Sequence, residues 1–203
     1  MSLLNMKKLL IPALVIGMSA CTPTENIDIY NDHGDAVMGL DYRDFNKASS
    51  EAVASMLSSG AVNKPGGGRY VLAISRITND TMQRIDTDQL IKKIRIDLLN
   101  SGKVIVTTAI SADGAEDRMA MQARQLRHSD EFKQSTVAGK GQMIAPELSL
   151  SGKILQRNIK INRRKQQAEY YFQLSLTDIN TGLAIWEGET VIGKRGSNDA
   201  VSW

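Results

Sequence analysis

The chain carries one cysteine, two histidines, four prolines and three phenylalanines in 203 residues. A single thiol cannot form an internal disulfide, and it excludes paired-cysteine metal knuckles and Cys-x-x-Cys redox sites. The histidines, His33 and His128, are far apart, and no His-Glu-x-x-His or His-x-His spacing occurs, so no metal site is expected. No Gly-x-Ser-x-Gly elbow or Ser-x-x-Lys acylation motif is present, which removes the usual signatures of hydrolases and transpeptidases. A formal charge of +3 is too small to argue for nucleic acid as a partner. The longest apolar run, Leu9 to Ala20, is broken by Pro12 and Gly17, and it falls short of the ~20 apolar residues a membrane span needs.

Two glycine-rich stretches invite a phosphate-loop reading and do not support it. Gly66-Gly67-Gly68 lacks the following Lys-Ser/Thr and leads into a strand, so it is a turn. Gly139-Lys140-Gly141 has no third glycine and no clear preceding strand. Asp80, Asp86 and Asp88 suggest a cation site only superficially. An acid at a helix start is explained by capping and by the helix dipole. No catalytic residue, cofactor or metal is expected, and the chain reads as a non-enzyme.

What the sequence does have is Cys21 at the end of a secretory signal. Lys7 and Lys8 precede the apolar run, and the small residues Ser19-Ala20 stand directly before the thiol. This layout resembles a lipobox, in which cleavage before the cysteine leaves a thioether-linked diacylglycerol on it. Residues 1–20 are then a signal peptide and Cys21 a lipid anchor. Met18 stands where leucine is usual, and Met6 is a better initiator than Met1, which makes residues 1–5 a leader or a misassigned start. Thr22 after the cysteine, in place of aspartate, implies the outer membrane as the address, facing the periplasm of a Gram-negative cell.

Removing the signal leaves roughly 180 residues, the size of one domain with a tether. Residues 21–40 read as the lipidated N-terminus and a short, mostly flexible tether, 41–195 as one globular domain and 196–203 as a frayed tail. Within the domain, Asp41 caps a helix over 42–59 whose apolar stripe is Phe45, Ala48, Ala52, Met56 and Leu57. Arg69–Ile77 is a strand with a nearly continuous apolar centre, which suits burial on both faces. Thr78–Thr81 reads as a loop. Asp86 starts a second helix with Gln89 at the capping-box position, an apolar face of Leu90, Ile91, Ile94, Leu98 and Leu99, and a stop at Gly102. Lys103–Thr108 returns as a β-branched strand, which completes a strand–helix–strand unit with parallel strands.

A third helix is expected from Asp113 or Ala115 to about Arg127, and residues 129–145 are ambiguous between loop and broken helix. Leu148–Asn162, Gln166–Thr177 and Leu183–Lys194 form an antiparallel meander, the second strand with Tyr170, Phe172, Leu174 and Leu176 in strict alternation. The fold class is therefore α/β with α+β character: a central mixed sheet, a βαβ unit, a C-terminal meander and helices on the sheet faces.

One surface stretch stands out. Between Glu147 and Glu169 there is no acid, yet Lys153, Arg157, Lys160, Arg163, Arg164 and Lys165 are basic and concentrate at a hairpin tip. Charge at a hairpin end keeps strands soluble and unpaired. The other reading is docking to an acidic protein surface or to an anionic lipid or glycan. The candidate partner-binding residues are Arg157, Lys160, Arg163, Arg164 and Lys165, together with Asn79 and Arg84 in the Thr78–Arg84 loop at the end of a strand.

From Leu40 to Arg195 the chain resembles the LpoB family of penicillin-binding protein activators. The resemblance runs in order through Asp41-Tyr42 … Met56-Leu57, then Val71-Leu72-Ala73-Ile74-Ser75-Arg76-Ile77-Thr78-Asn79, then Leu98-Leu99-Asn100-Ser101-Gly102-Lys103, and last the hairpin from Gln173 to Gly188. It implies a fold similar to the N-terminal domain of the translocation protein TolB. It also implies an outer-membrane lipoprotein that binds a bifunctional peptidoglycan synthase, a class A penicillin-binding protein, stimulates cell-wall synthesis and catalyses nothing itself. A monomer or weak oligomer is expected.

The tether departs from the family pattern, whose best-known members carry a long Pro-rich linker. Between Cys21 and Leu40 the chain reaches roughly 65–70 Å when fully extended. As a flexible coil it spans about 25 Å. This leaves open an alternative of a different class: an envelope scaffold or assembly lipoprotein of the same fold with another partner.

Overall fold

The computed structural model describes residues 26–29, 31, 34, 36–112 and 114–200. The expected signal peptide, Cys21 and the last residues of the tail lie outside the described residues. The chain divides into two units, Met1–Asp32 and His33–Trp203. In the first, the Asn31 side chain donates to Asp28 at 2.6 Å. Everything below concerns the second.

Helix α1 spans Tyr42–Ser59 and begins as the sequence predicts. The Asp41 carboxylate accepts from the backbone N–H of Arg43 and Asp44, and the Asp44 carboxylate accepts from the N–H of Asp41, a reciprocal capping box. The helix stops at Gly60, whose φ of 80° lies in the left-handed region that glycine adopts without penalty. Strand β1 spans Tyr70–Asp80, helix α2 Thr87–Asn100 and strand β2 Val104–Val106. The short helix α3 covers Arg118–Gln122, and strands β3, β4 and β5 cover Leu148–Lys160, Lys165–Asp178 and Ala184–Ser197.

These strands form one mixed sheet in the order β2-β1-β3-β4-β5. β1 is parallel to both β2 and β3, while β3, β4 and β5 form the antiparallel meander. Helix α1 packs against β5 and α2, and α2 packs against β1 and β2. Both long helices share one face of the sheet. Ala48 and Ser49 of α1, Leu90 and Ile94 of α2, and Ile77, Ile154, Phe172 and Leu174 of the strands line the same small interior space. The core there includes Met56, Leu72, Leu98, Leu148, Leu150, Tyr170 and Leu176, all fully buried. Burying each such side chain contributes about 1.5–3 kcal/mol relative to exposure, so this apolar seam is the main source of stability.

Several local expectations shift. β1 continues through Asp80, where the sequence suggested a loop from Thr78; the register with β3 carries Thr78, Asn79 and Asp80 opposite Lys153, Ile154 and Leu155. Pairing with a long neighbour overrides the polar, turn-like composition of Thr78–Asp80. Asp86 caps α2 through the Asp88 N–H, and Leu99 of the expected apolar face is exposed. The third helix shrinks to α3 followed by a 3-10 helix over Ala123–His128. In β1, Val71, Leu72, Ala73 and Ile74 are all buried, as a strand covered on both faces requires. β3 passes β1 at Gly152 beside a bulge between Ile74 and Ile77. A Cβ on Gly152 would come within 2.6 Å of the Gln173 carbonyl, so only glycine fits that crossing.

The domain extends past the expected boundaries. Met38 is buried, its carbonyl accepts from the Tyr170 hydroxyl at 3.1 Å, and the Leu40 N–H donates to Gln83. At the other end β5 runs to Ser197, and the Gln166 side chain donates to the carbonyls of Ser197 and Ala200.

The start of α1 is fixed to the last strand by charge. Lys194 of β5 lies 2.6 Å from the Asp44 carboxylate and 3.7 Å from that of Asp41, and the Lys194 and Asp44 side chains are 11% and 12% exposed. Removing one partner of such a pair strands a buried charge, whereas replacing both by apolar groups is far milder. Lys194→Met is expected to lower stability by about 3 kcal/mol. Asp44→Leu combined with Lys194→Met should recover much of the loss in urea unfolding; a single-variant loss no larger than that of an exposed pair would contradict the assignment.

Asp41 adds a pH dependence. Burial alone would raise its carboxyl. The Arg43 hydrogen bond, the Asp44 N–H and the charges of Lys194 and Arg43 outweigh that and hold it below its ordinary value. A carboxyl depressed in the folded state contributes stability that is present above its unfolded value and lost as pH falls through the folded one. Arg43→Ala should therefore flatten the loss of stability below about pH 4, measured as the urea midpoint across an acid series.

Candidate functional site

The basic stretch forms the far end of the β3–β4 hairpin. The register pairs Lys160 with Gln166, Arg157 with Glu169 and Lys153 with Gln173. β1 ends opposite Leu155, so the hairpin projects beyond it by the length of Gln156–Lys160. The turn is held by the Asn162 side chain, which accepts from the N–H groups of Arg164 and Lys165. Asn198, just past the end of β5, closes it, donating through its side chain to the Asn162 carbonyl and through its backbone to that of Arg164. The loop tip is thus built from backbone and amide hydrogen bonds, which leaves its charged side chains for solvent.

The six basic residues fall into two groups. Lys153 and Arg157 have acidic neighbours: Lys153 lies 2.8 Å from Asp80, and Arg157 stands across from Glu169. The Glu169 carboxyl is held below its ordinary value, first by the Tyr171 hydroxyl, then by Gln167 and the Arg157 charge, and Tyr171 is correspondingly raised by its bond to Glu169. Lys160, Arg163, Arg164 and Lys165 are exposed and, among the described residues, make no ion pair with an acid. The cationic tip is therefore these four side chains. Arg195 of β5 extends it: it lies across from Gln167 in the register, is exposed, and donates to the Gln167 side chain at 2.7 Å. Arg195 carries no signal in the sequence, because only strand pairing brings residue 195 beside residue 167.

Asn79 and Arg84 flank the turn after β1. Arg84 is exposed. Asn79 is committed locally: its side chain donates to the Gln83 carbonyl at 2.8 Å and accepts from the Thr81 N–H and hydroxyl. This turn is tied to the hairpin, since the Met82 N–H donates to Gln156 at 3.0 Å. The structure thus brings the β1 turn and the hairpin to one end of the sheet, with Arg84 available at its surface and Asn79 acting within the turn.

The sheet face of β3–β5 turned away from the helices carries Gln173, Ser175, Glu187, Glu189 and Val191. It is polar and exposed or half-buried. Among the described residues, no three His, Cys, Asp or Glu side chains converge to hold a metal ion, and no helix is long and apolar enough to cross a membrane. The arrangement is a rigid scaffold presenting charge, suited to recognition.

Comparison with known proteins identifies the family. A family model described as the peptidoglycan-synthase activator LpoB matches residues 44–192. Among solved structures, the LpoB C-terminal domain from Salmonella enterica is 17% identical over 73% of this chain and 98% of its own, with a TM-score of 0.44. The corresponding domain from Escherichia coli is 18% identical over the same shares, with a TM-score of 0.43. The E. coli LpoB solution structure is 16% identical over 97% of this chain and 91% of its own, with a TM-score of 0.41. No curated protein sequence matches the chain. The family model spans α1 through most of β5 and includes three of the four segments that carried the resemblance in full and most of the opening one; the chain belongs to the LpoB family of peptidoglycan-synthase activators.

Proposed function

We propose that this protein is a non-catalytic outer-membrane lipoprotein that faces the periplasm, binds a class A penicillin-binding protein and stimulates its peptidoglycan synthesis. The observation that carries the reading is the match over residues 44–192 to a family described as peptidoglycan-synthase activators. The lipobox-like sequence before Cys21 supports a lipid anchor. The cationic end of the hairpin supports an electrostatically steered contact, through Arg157, Lys160, Arg163, Arg164, Lys165 and Arg84, with Asn79 shaping the adjoining turn. Opposite charge across an interface raises the association rate and fixes orientation more than it adds raw affinity.

Reach is the constraint on this function. With Met38 packed into the domain, residues 22–37 are what separates the anchor from the folded surface. Fully extended, that segment spans roughly 55 Å. The synthase must therefore present its acceptor surface well above the inner membrane. If it does not, the same anchored domain would serve a partner nearer the outer membrane, as an envelope scaffold.

A direct test measures binding between the purified protein and a class A penicillin-binding protein of the same organism, at about 50 mM and about 300 mM salt, where screening differs strongly. The double variant R163E/R164E is expected to weaken binding roughly ten-fold at low salt and much less at high salt, chiefly through the association rate. Unchanged affinity and salt dependence would remove the hairpin from the interface, and no binding by the unsubstituted protein would remove the synthase as partner.

A further inference from the structure

β1 is longer than its outer neighbour. β2 pairs only with Tyr70, Val71 and Leu72, and the last bond on that side is Thr107 N–H to the Leu72 carbonyl at 2.9 Å. From Ala73 to Asp80, β1 keeps β3 on its inner side, and among the described residues no strand pairs with its outer side. An open edge of this length is a template for another extended chain.

This edge is one wall of a groove of about 650 Å³. Ile74–Asn79 form that wall, Thr87, Asp88, Ile91, Lys92 and Arg95 of α2 another, and Ser111, Ala112, Ala115 and Glu116 the rim. The groove continues the line that β2 leaves at Val106. Six residues of β1 give roughly 20 Å of edge, enough for a strand of ordinary length.

Charge in the groove says what would occupy it. Arg95 is a mid-helix arginine that is 6% exposed, and its Nε has no hydrogen-bond partner. Its terminal nitrogens are bonded to the Glu116 carboxylate, which is itself exposed on the rim. Leaving a buried donor on a charged group unmade is costly, and guanidinium groups favour carboxylates. Lys92, one turn before Arg95, is exposed on the same wall. Arg76 of β1 and Asp88 of α2 also line the groove, so three cations face two carboxylates of this chain, one of which, Glu116, is already on Arg95, and the balance beside the strand edge stays positive.

We propose that the groove between β1 and α2 is a docking site for an extended, acidic peptide segment of a protein partner, which adds as a strand to the outer edge of Ile74–Asn79 and places a carboxylate at Arg95 and Lys92. Main-chain hydrogen bonds to the edge supply affinity, and the two cations supply selection for acidic side chains. The site lies on the α2 side of the sheet and does not use the hairpin cations. It therefore stands independently of which partner the hairpin engages.

The probe is a pair of eight-residue peptides with alternating valine and either glutamate or glutamine, added to the ¹⁵N-labelled full chain in detergent. Amide shifts confined to Ile74–Asn79, α2 and Ser111–Glu116, with NOEs from the peptide backbone to the β1 edge, are expected. The glutamate peptide should bind at least ten-fold more tightly than the glutamine peptide. Lys92→Glu, at an exposed position that leaves the fold intact, should abolish that preference, and Arg95→Lys should reduce it where the spectrum shows a folded protein. Equal affinity of the two peptides, shifts on β5 or the open sheet face instead, no shifts at millimolar peptide, or a preference that survives Lys92→Glu would each overturn the proposal.

Discussion

The ammonium of Lys194 holds the first helix of this domain to its last strand. α1 begins with two carboxylates, Asp41 and Asp44, drawn together by the capping box. Two acids at a helix start are favoured by the macrodipole, but their mutual repulsion must be relieved when Asp44 is buried. Lys194 supplies the relief at 2.6 Å, and its own burial is tolerable only because the carboxylates are there. The arrangement orients α1 over β4 and β5, and Phe45 meets Phe172 edge-on at 5.9 Å beneath it. Next to this clasp, Met38 lies against Gly196 and accepts from Tyr170, so the chain leading into the domain is fixed by the same strands.

With both long helices on one face, the opposite face of β3–β5 and the end of the β3–β4 hairpin remain open to solvent. The hairpin needs no buried side chain at its tip, because Asn162 and Asn198 satisfy the turn with amide and backbone bonds. Its cations therefore need not make internal pairs. Exposed ion pairs such as Lys153 with Asp80 contribute little to stability, typically below about 1 kcal/mol, so the uncancelled charge at the tip is available for steering without weakening the fold. A second tether crosses the domain between Lys64 and Glu147, at 2.6 Å, where the Glu147 carboxyl is held below its ordinary value first by Lys64 and then by the Val71 N–H. It joins the turn before β1 to the residue before β3, and so helps set these two parallel strands side by side.

What could be read from sequence was local. Asp41 and its helix, α2 and the alternating Tyr170–Leu176 strand follow from caps and periodicity within a dozen residues, and each appears where expected. The extension of β1 through Asn79 and Asp80 was hidden, because their polar composition signals a turn and only the partner strand β3 makes them extended. The shortening of the third helix was hidden for the opposite reason: apolar residues such as Met119 and Met121 suggest an amphipathic helix, yet they are exposed and find no core to cover. For the candidate site, the hairpin cations were legible as a run without acids. The acids that face Lys153 and Arg157 and the addition of Arg195 depend on contacts across strands, while Asn79 is consumed within its own turn. The pairing of Asp44 with Lys194 is likewise invisible to any pattern confined to one element.

The proposed role is a contact that accelerates a synthase. The most direct measurement is the rate of glycan-strand polymerisation by a purified class A penicillin-binding protein of the same organism, with lipid-linked disaccharide-peptide as substrate, in the presence and absence of the protein. A faster rate that saturates with added protein, while the protein alone polymerises nothing, is the predicted result. A rate unchanged at saturating protein would contradict it.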